Sequence, residues 1–146
     1  MSGEKPVILI PCSGIGKAYG SVARDAVYAV LEEWRPQRTE TLCLSRLTLG
    51  DPVAQARVRE CPVITIDGCP FRCAEVNVQA SGQGPAVSLR VFDIFRAHRD
   101  LKVNSVSDLG ENGKALSRIL AKEIAARVDQ LKAVGRLPLK SVREEA

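Results

Sequence analysis

Residues 7–10 read Val-Ile-Leu-Ile, an unbroken apolar run rich in β-branched side chains. A strand with one face in water alternates apolar and polar residues. This one does not, so it predicts a strand buried on both faces, as in a parallel sheet covered by helices. The following residues keep that rhythm. Pro11-Cys12-Ser13-Gly14-Ile15-Gly16 reads as a loop, and from about Lys17 to Trp34 the residues Val22, Ala26, Val27, Val30 and Leu31 recur at helical spacing. Pro36 stops that helix, with Tyr28 and Trp34 expected as packing residues on it. Thr39 to Leu44 predicts a second strand ending near Cys43. Asp51-Pro52 opens a second helix, Asp as cap and Pro at the first helical position, running to about Glu60. Residues 62–66, Pro-Val-Ile-Thr-Ile, predict a third strand leading into Asp67-Gly68-Cys69-Pro70, and a short helix carrying Cys73 follows.

Strand and helix thus alternate three times, which implies a parallel sheet with right-handed crossovers. Ser81 to Pro85 is a loop. Val87 to His98 fits two periods: Val91, Phe92, Ile94, Phe95 and His98 form a helical face, while Val87, Leu89 and Val91 alternate as in a strand. The expectation here is helix, with a fourth strand at Leu101 to Val106. From Asn112 to about Val134, Leu116, Ile119, Leu120, Ile124, Val128 and Leu131 line one side of a long helix that Gly135 ends. The expected fold is a small α/β three-layer sandwich, Rossmann-like, with a mainly parallel sheet of about four strands. Residues 1–146 form one domain with a core at about 7–134 and a frayed tail at 135–146.

Composition narrows the function. A length of 146 residues suits one core without disulfide staples. The net charge of +4 is mild. The basic residues Lys114, Arg118, Lys122, Arg127 and Lys132 are interleaved with Glu123 and Asp129, the pattern of a solvated helix face and not of a nucleic-acid surface. No run approaches the roughly 18 apolar residues of a membrane span, and residues 7–10 are too short for a signal peptide's apolar region. The expectation is a cytoplasmic protein with no nucleic-acid or membrane partner. In that compartment thiols stay reduced, so five cysteines, an odd number, read as metal ligands or catalysts and not as a disulfide set.

Three of the cysteines, Cys12, Cys43 and Cys69, fall at the C-terminal ends of predicted strands. In a parallel sheet those ends share the edge where open α/β folds bind ligands. Cys73, one helical turn beyond Cys69, can face the same point. Cys61 stands at the start of the third strand, hence at the opposite edge, on the order of 20 Å away, and is expected to be structural. Four converging thiolates suit tetrahedral zinc or an Fe–S cluster. Zinc is the expected cofactor, on its lower chemical demands. Four thiolates on Zn²⁺ leave a charge of about −2, which Lys17 and Arg72 in the adjoining loops can offset if they are not simply solvated.

The segments Ile66-Asp67-Gly68-Cys69-Pro70 and Cys73-Ala74 resemble the central motif of the DGC-domain family, described as zinc-binding. Cys12-Ser13-Gly14 after a first strand and the lone Cys43 match as well, and Ser107-Asp108-Leu109-Gly110 does so more weakly. The resemblance spans roughly residues 7 to 115, more loosely over Gln79 to Asn104. It implies zinc chelation by Cys12, Cys43, Cys69 and Cys73, leaves out Cys61, and names no pathway.

Other chemistries fit less well. Residues 11–18 lack the first Gly and the last Ser or Thr of a phosphate loop, and Ala18 stands where a cysteine phosphatase needs Arg. Asp67 reads first as turn chemistry, and otherwise as an acceptor steadying the loop that presents Cys69. Ser13 and Lys17 are expected beside the ligands, and His98 is expected to be a surface or core residue. Three function classes stay open. The first is a closed zinc module for structure, storage or metal transfer to a protein partner. The second is a thiol redox or sulfur-transfer enzyme using Cys12 with Cys69 or Cys73. The third is an Fe–S electron-transfer or sensor protein. A closed four-thiolate site has no open position for water, so hydrolysis is not expected.

Overall fold

The computed structural model describes residues 5–12, 18–68, 70–103, 105 and 108–134. Gly135 and the tail at 135–146 lie outside them. The elements in order are β1 (Val7–Pro11), α1 (Ala18–Ala29), β2 (Thr39–Thr41), α2 (Leu44–Thr48), α3 (Pro52–Glu60), β3 (Val63–Asp67), α4 (Cys73–Ala80), β4 (Val87–Arg90), α5 (Val91–Ala97) and α6 (Gly110–Val134). α1 runs on into a π-helical turn over Val30–Trp34. The Arg35 N–H closes that turn on the Val30 carbonyl at 2.7 Å. Asp51 caps α3 as expected, its Oδ1 accepting the Val53 N–H at 3.3 Å, with Pro52 in the first turn.

The four described strands form one parallel sheet in the order β2-β1-β3-β4. Alternation along β1 sorts the core into two clusters. Val7 and Leu9 pack with Ile64 and Ile66 against α1 and α6, through Val22, Ala26, Val27, Leu116, Leu120 and Ile124. Ile8, Ile10 and Cys12 pack on the other face with Val63, against Leu44 and Leu47 of α2, Ala54 and Val58 of α3, and Ala74 and Val78 of α4. The result is the three-layer α/β sandwich that the unbroken apolar run at 7–10 implies.

Four local expectations are corrected. The fourth strand is Val87–Arg90, and residues 101–103 form no strand. The ambiguous stretch holds both periods in succession: Val87 and Leu89 turn inward in β4, then α5 starts at Val91. Secondly, the second strand stops at Thr41, and Cys43 sits beyond it as the residue preceding α2, a short helix not foreseen. Thirdly, Tyr28 and Trp34 are exposed, not packed, at 53% and 36%. The buried stripe of α1 and its π-turn runs through Val22, Ala23, Ala26, Val27 and Val30, and both aromatics fall off it. Finally, the long helix begins at Gly110, two residues earlier than its apolar pattern suggests.

Candidate metal-binding edge

The strand order creates a switch point. The chain leaves β1 for β2 on one side, then returns to lay β3 on the other side of β1. Helices flanking such a point diverge to opposite faces and leave a crevice beyond the C-terminal strand ends, where open α/β folds place ligands. Cys12 and the Asp67-Gly68 pair stand at these strand ends, just beyond β1 and at the close of β3. The Cys12 N–H continues the ladder to the Ile66 carbonyl at 2.9 Å. In return the Gly68 N–H points at Cys12 Sγ, 3.0 Å away. Cys12 is 1% exposed.

Cys73 is the first residue of α4 and is half-buried, packed against the same cluster that holds Cys12. Two features set its position. Arg72, immediately before it, has the left-handed values φ 53° and ψ 49°; it is the only non-glycine residue with positive φ among the described residues. Such a conformation costs about 1 kcal/mol and turns the chain sharply into the helix. Asp67, 1% exposed, then holds the helix start: its carboxylate accepts the Ala74 N–H at 2.7 Å and the Glu75 N–H at 3.2 Å. Burial pushes the Asp67 carboxyl above its usual range, against the pull of those two N–H donors. Asp67 therefore steadies the segment that carries Cys73.

Cys43 is exposed and stands at the N-terminal end of α2, a helix that packs against α4. Its Sγ lies 2.9 Å from Ser45 Oγ. Hydrogen bonding to the Ser45 hydroxyl, helped by the Ser45 N–H and by Arg46, lowers the Cys43 pKa from the ordinary thiol value. Cys61 is buried in the same face of the core as Cys12, but at the end of α3 that precedes β3, the opposite sheet edge. The structure thus brings Cys12 and Cys73 into one packed cluster and puts Cys43 on a helix adjoining it. Cys69, Ser13 and Lys17 lie outside the described residues. Among the described residues, no group of three or more His, Cys, Asp or Glu side chains is close enough to hold a metal. Arg72 forms an ion pair with Glu75 at 3.6 Å, and His98 is half-buried at the end of α5.

Sequence reasoning misses Gly68 as a donor to Cys12, the strained Arg72 and the Cys43–Ser45 pair. Only the last leaves a local trace, a hydroxyl two residues after a helix-capping position. No helix among the described residues is long and apolar enough to cross a membrane. No curated protein and no solved structure matches the chain. The family described as DGC domain matches residues 8–112, from β1 through the first residues of α6, and the chain belongs to that family.

Proposed function

We propose that the chain holds one zinc ion through the thiolates of Cys12, Cys43, Cys69 and Cys73, as a cytoplasmic module that keeps the metal for structure or storage, or passes it to a protein partner. The observation that carries this reading is the Gly68 N–H on the buried Cys12 sulfur at the switch point. A thiol in so apolar a place is ordinarily inert. A donor aimed at it suits a sulfur that carries charge, and a cation opposite it would offset that charge. Cys73 in the same cluster, and Cys43 with its lowered pKa, supply donors of the same soft type. Four thiolates would close the coordination sphere and leave no position for water, so the chemistry supplied is binding and release, not hydrolysis.

Burial of Cys12 speaks against its use as an attacking thiol. A thiol-transfer reaction would start more readily from the exposed Cys43. Elemental analysis of protein purified without oxygen, beside its visible spectrum, separates the three chemistries. About one zinc per chain and no colour is the expected result. Iron with sulfide and a broad visible absorbance would replace it with an Fe–S centre. No metal, with rapid alkylation of Cys43, would make thiol chemistry the function.

A further inference from the structure

A cleft of about 400 Å³ opens beyond the C-terminal ends of β3 and β4, a volume typical of small-molecule sites. Tyr19 of α1 and Phe92 of α5 form its apolar walls, Arg90 and Arg96 its basic ones, and Asp67 and Gly68 also line it. The chain has only one Trp, two Tyr and three Phe. Phe95 lies behind both walls, its ring centroid 5.7 Å from that of Tyr19 and 6.5 Å from that of Phe92. Half of the chain's six aromatic rings thus meet at this one place. Phe92 stays 53% exposed, a flat apolar surface the core does not use.

The cleft is lined by two arginines and two aspartates, and both aspartates have hydrogen-bond partners of their own. Arg90 Nε donates to Asp93 Oδ2 at 3.3 Å, which joins those two lining residues in one pair. Both oxygens of Asp67 accept N–H groups of α4. Arg96, exposed on α5, makes no ion pair among the described residues. A guanidinium offers a planar fork of N–H donors that matches a carboxylate two to two, and aromatic walls favour a flat apolar body.

We propose that this cleft binds a small carboxylate with a flat apolar body, its carboxylate on Arg96 and its body between Tyr19 and Phe92. The ligand would sit on the β4 side of Gly68, whose N–H meets the Cys12 sulfur. The site stands on the cleft alone and does not depend on a bound metal.

The test is calorimetric titration of the full chain with benzoate, benzamide and inorganic phosphate. Benzoate is expected to bind saturably, and each of the other two about tenfold more weakly or worse, since one lacks the charge and the other the apolar body. Arg96→Gln is expected to weaken benzoate about tenfold or more, and Arg96→Lys less, because the charge remains without the fork. Arg99→Gln, which removes an exposed charge outside the cleft, is expected to leave affinity unchanged. Absence of saturable benzoate binding, equal binding of benzamide or phosphate, or an equal loss in Arg99→Gln would each overturn the proposal. Metal content of the same samples separates the two readings: metal-free protein that still binds benzoate keeps the cleft and removes the zinc, and the reverse result does the opposite.

Discussion

Gly68 is held to glycine by a neighbour distant in sequence. A Cβ there would lie 2.6 Å from Gly20 N and 2.7 Å from Tyr19 O, backbone atoms of α1 that cannot swing aside as a side-chain tip can. Its φ lies outside the left-handed region, so the constraint is close approach and not turn geometry. Gly68→Ala should therefore destabilise the fold by about 1–3 kcal/mol, the range of overpacking in a tight interior. Urea unfolding checks this, and an unchanged midpoint would show that α1 can move away cheaply. In sequence, Asp67-Gly68 carries the ordinary signal of a turn. Neither the packing of α1 on the end of β3 nor the reach of Asp67 to the Ala74 and Glu75 N–H groups can be read there. A cap is normally sought immediately before its helix, and Asp67 stands six residues before Cys73.

Elements marked by an apolar run, a regular apolar period or a start signal were legible, and those without such a mark were not. β1, β3, α1 and α6 follow from residue spacing because each buries a continuous stripe or run, and α3 follows from its Asp51-Pro52 start. β4 and α5 together take up only residues 87–97, so two periods share one stretch and neither repeats often enough to separate them. α2 spans five residues, Leu44–Thr48, barely more than a turn; its buried Leu44 and Leu47 gain meaning only in the cluster with the sheet, α3 and α4. How elements lock together is also hidden from a single pass along the chain. Arg35, at the end of the π-helical turn, grips Asp129 of α6 with two hydrogen bonds of 2.8 and 2.7 Å, and Arg38 adds a longer contact at 3.7 Å. The Arg35 hydrogen bonds are the main reason the Asp129 carboxyl lies below its usual range. A carboxylate with a depressed folded-state pKa adds stability above its unfolded value, and that increment is lost as pH falls through the folded value. Asp129 is about half exposed, so the increment is expected to stay below about 1 kcal/mol. Asp129→Asn should be slightly less stable than the native chain near pH 7, with the difference closing as pH falls below about 4. Unfolding midpoints at both ends of that range would show it; a gap that widens in acid would contradict the assignment.

For the whole molecule, the parallel sheet brings Cys12 and Cys73, far apart in sequence, into one packed cluster. Strand ends at Pro11, Thr41 and Asp67 share one edge because every described pairing is parallel. The alternation of strands and helices already implied that edge. The order β2-β1-β3-β4, which puts the crevice between β1 and β3, depends on packing that no local pattern encodes. Cys61 tests the geometry because it shares the face of Cys12 but lies at the other edge. If zinc sits at the C-terminal edge, it binds the folded chain far better than the unfolded one, and metal at about a thousand times its dissociation constant adds about 4 kcal/mol of stability. A chelator should then lower the melting temperature of the native chain and of Cys61→Ser by similar amounts. Cys12→Ser, Cys43→Ser, Cys69→Ser and Cys73→Ser should emerge with reduced zinc, and chelator should shift their melting much less. Cys61→Ser should lose some stability from a polar group buried at 6% exposure, yet keep its metal, so intrinsic destabilisation and ligand loss are read on separate axes. If Cys61→Ser lost zinc as fully as Cys73→Ser, metal retention would track general stability and not the edge. The C-terminal crevice would then have no special claim to the ion.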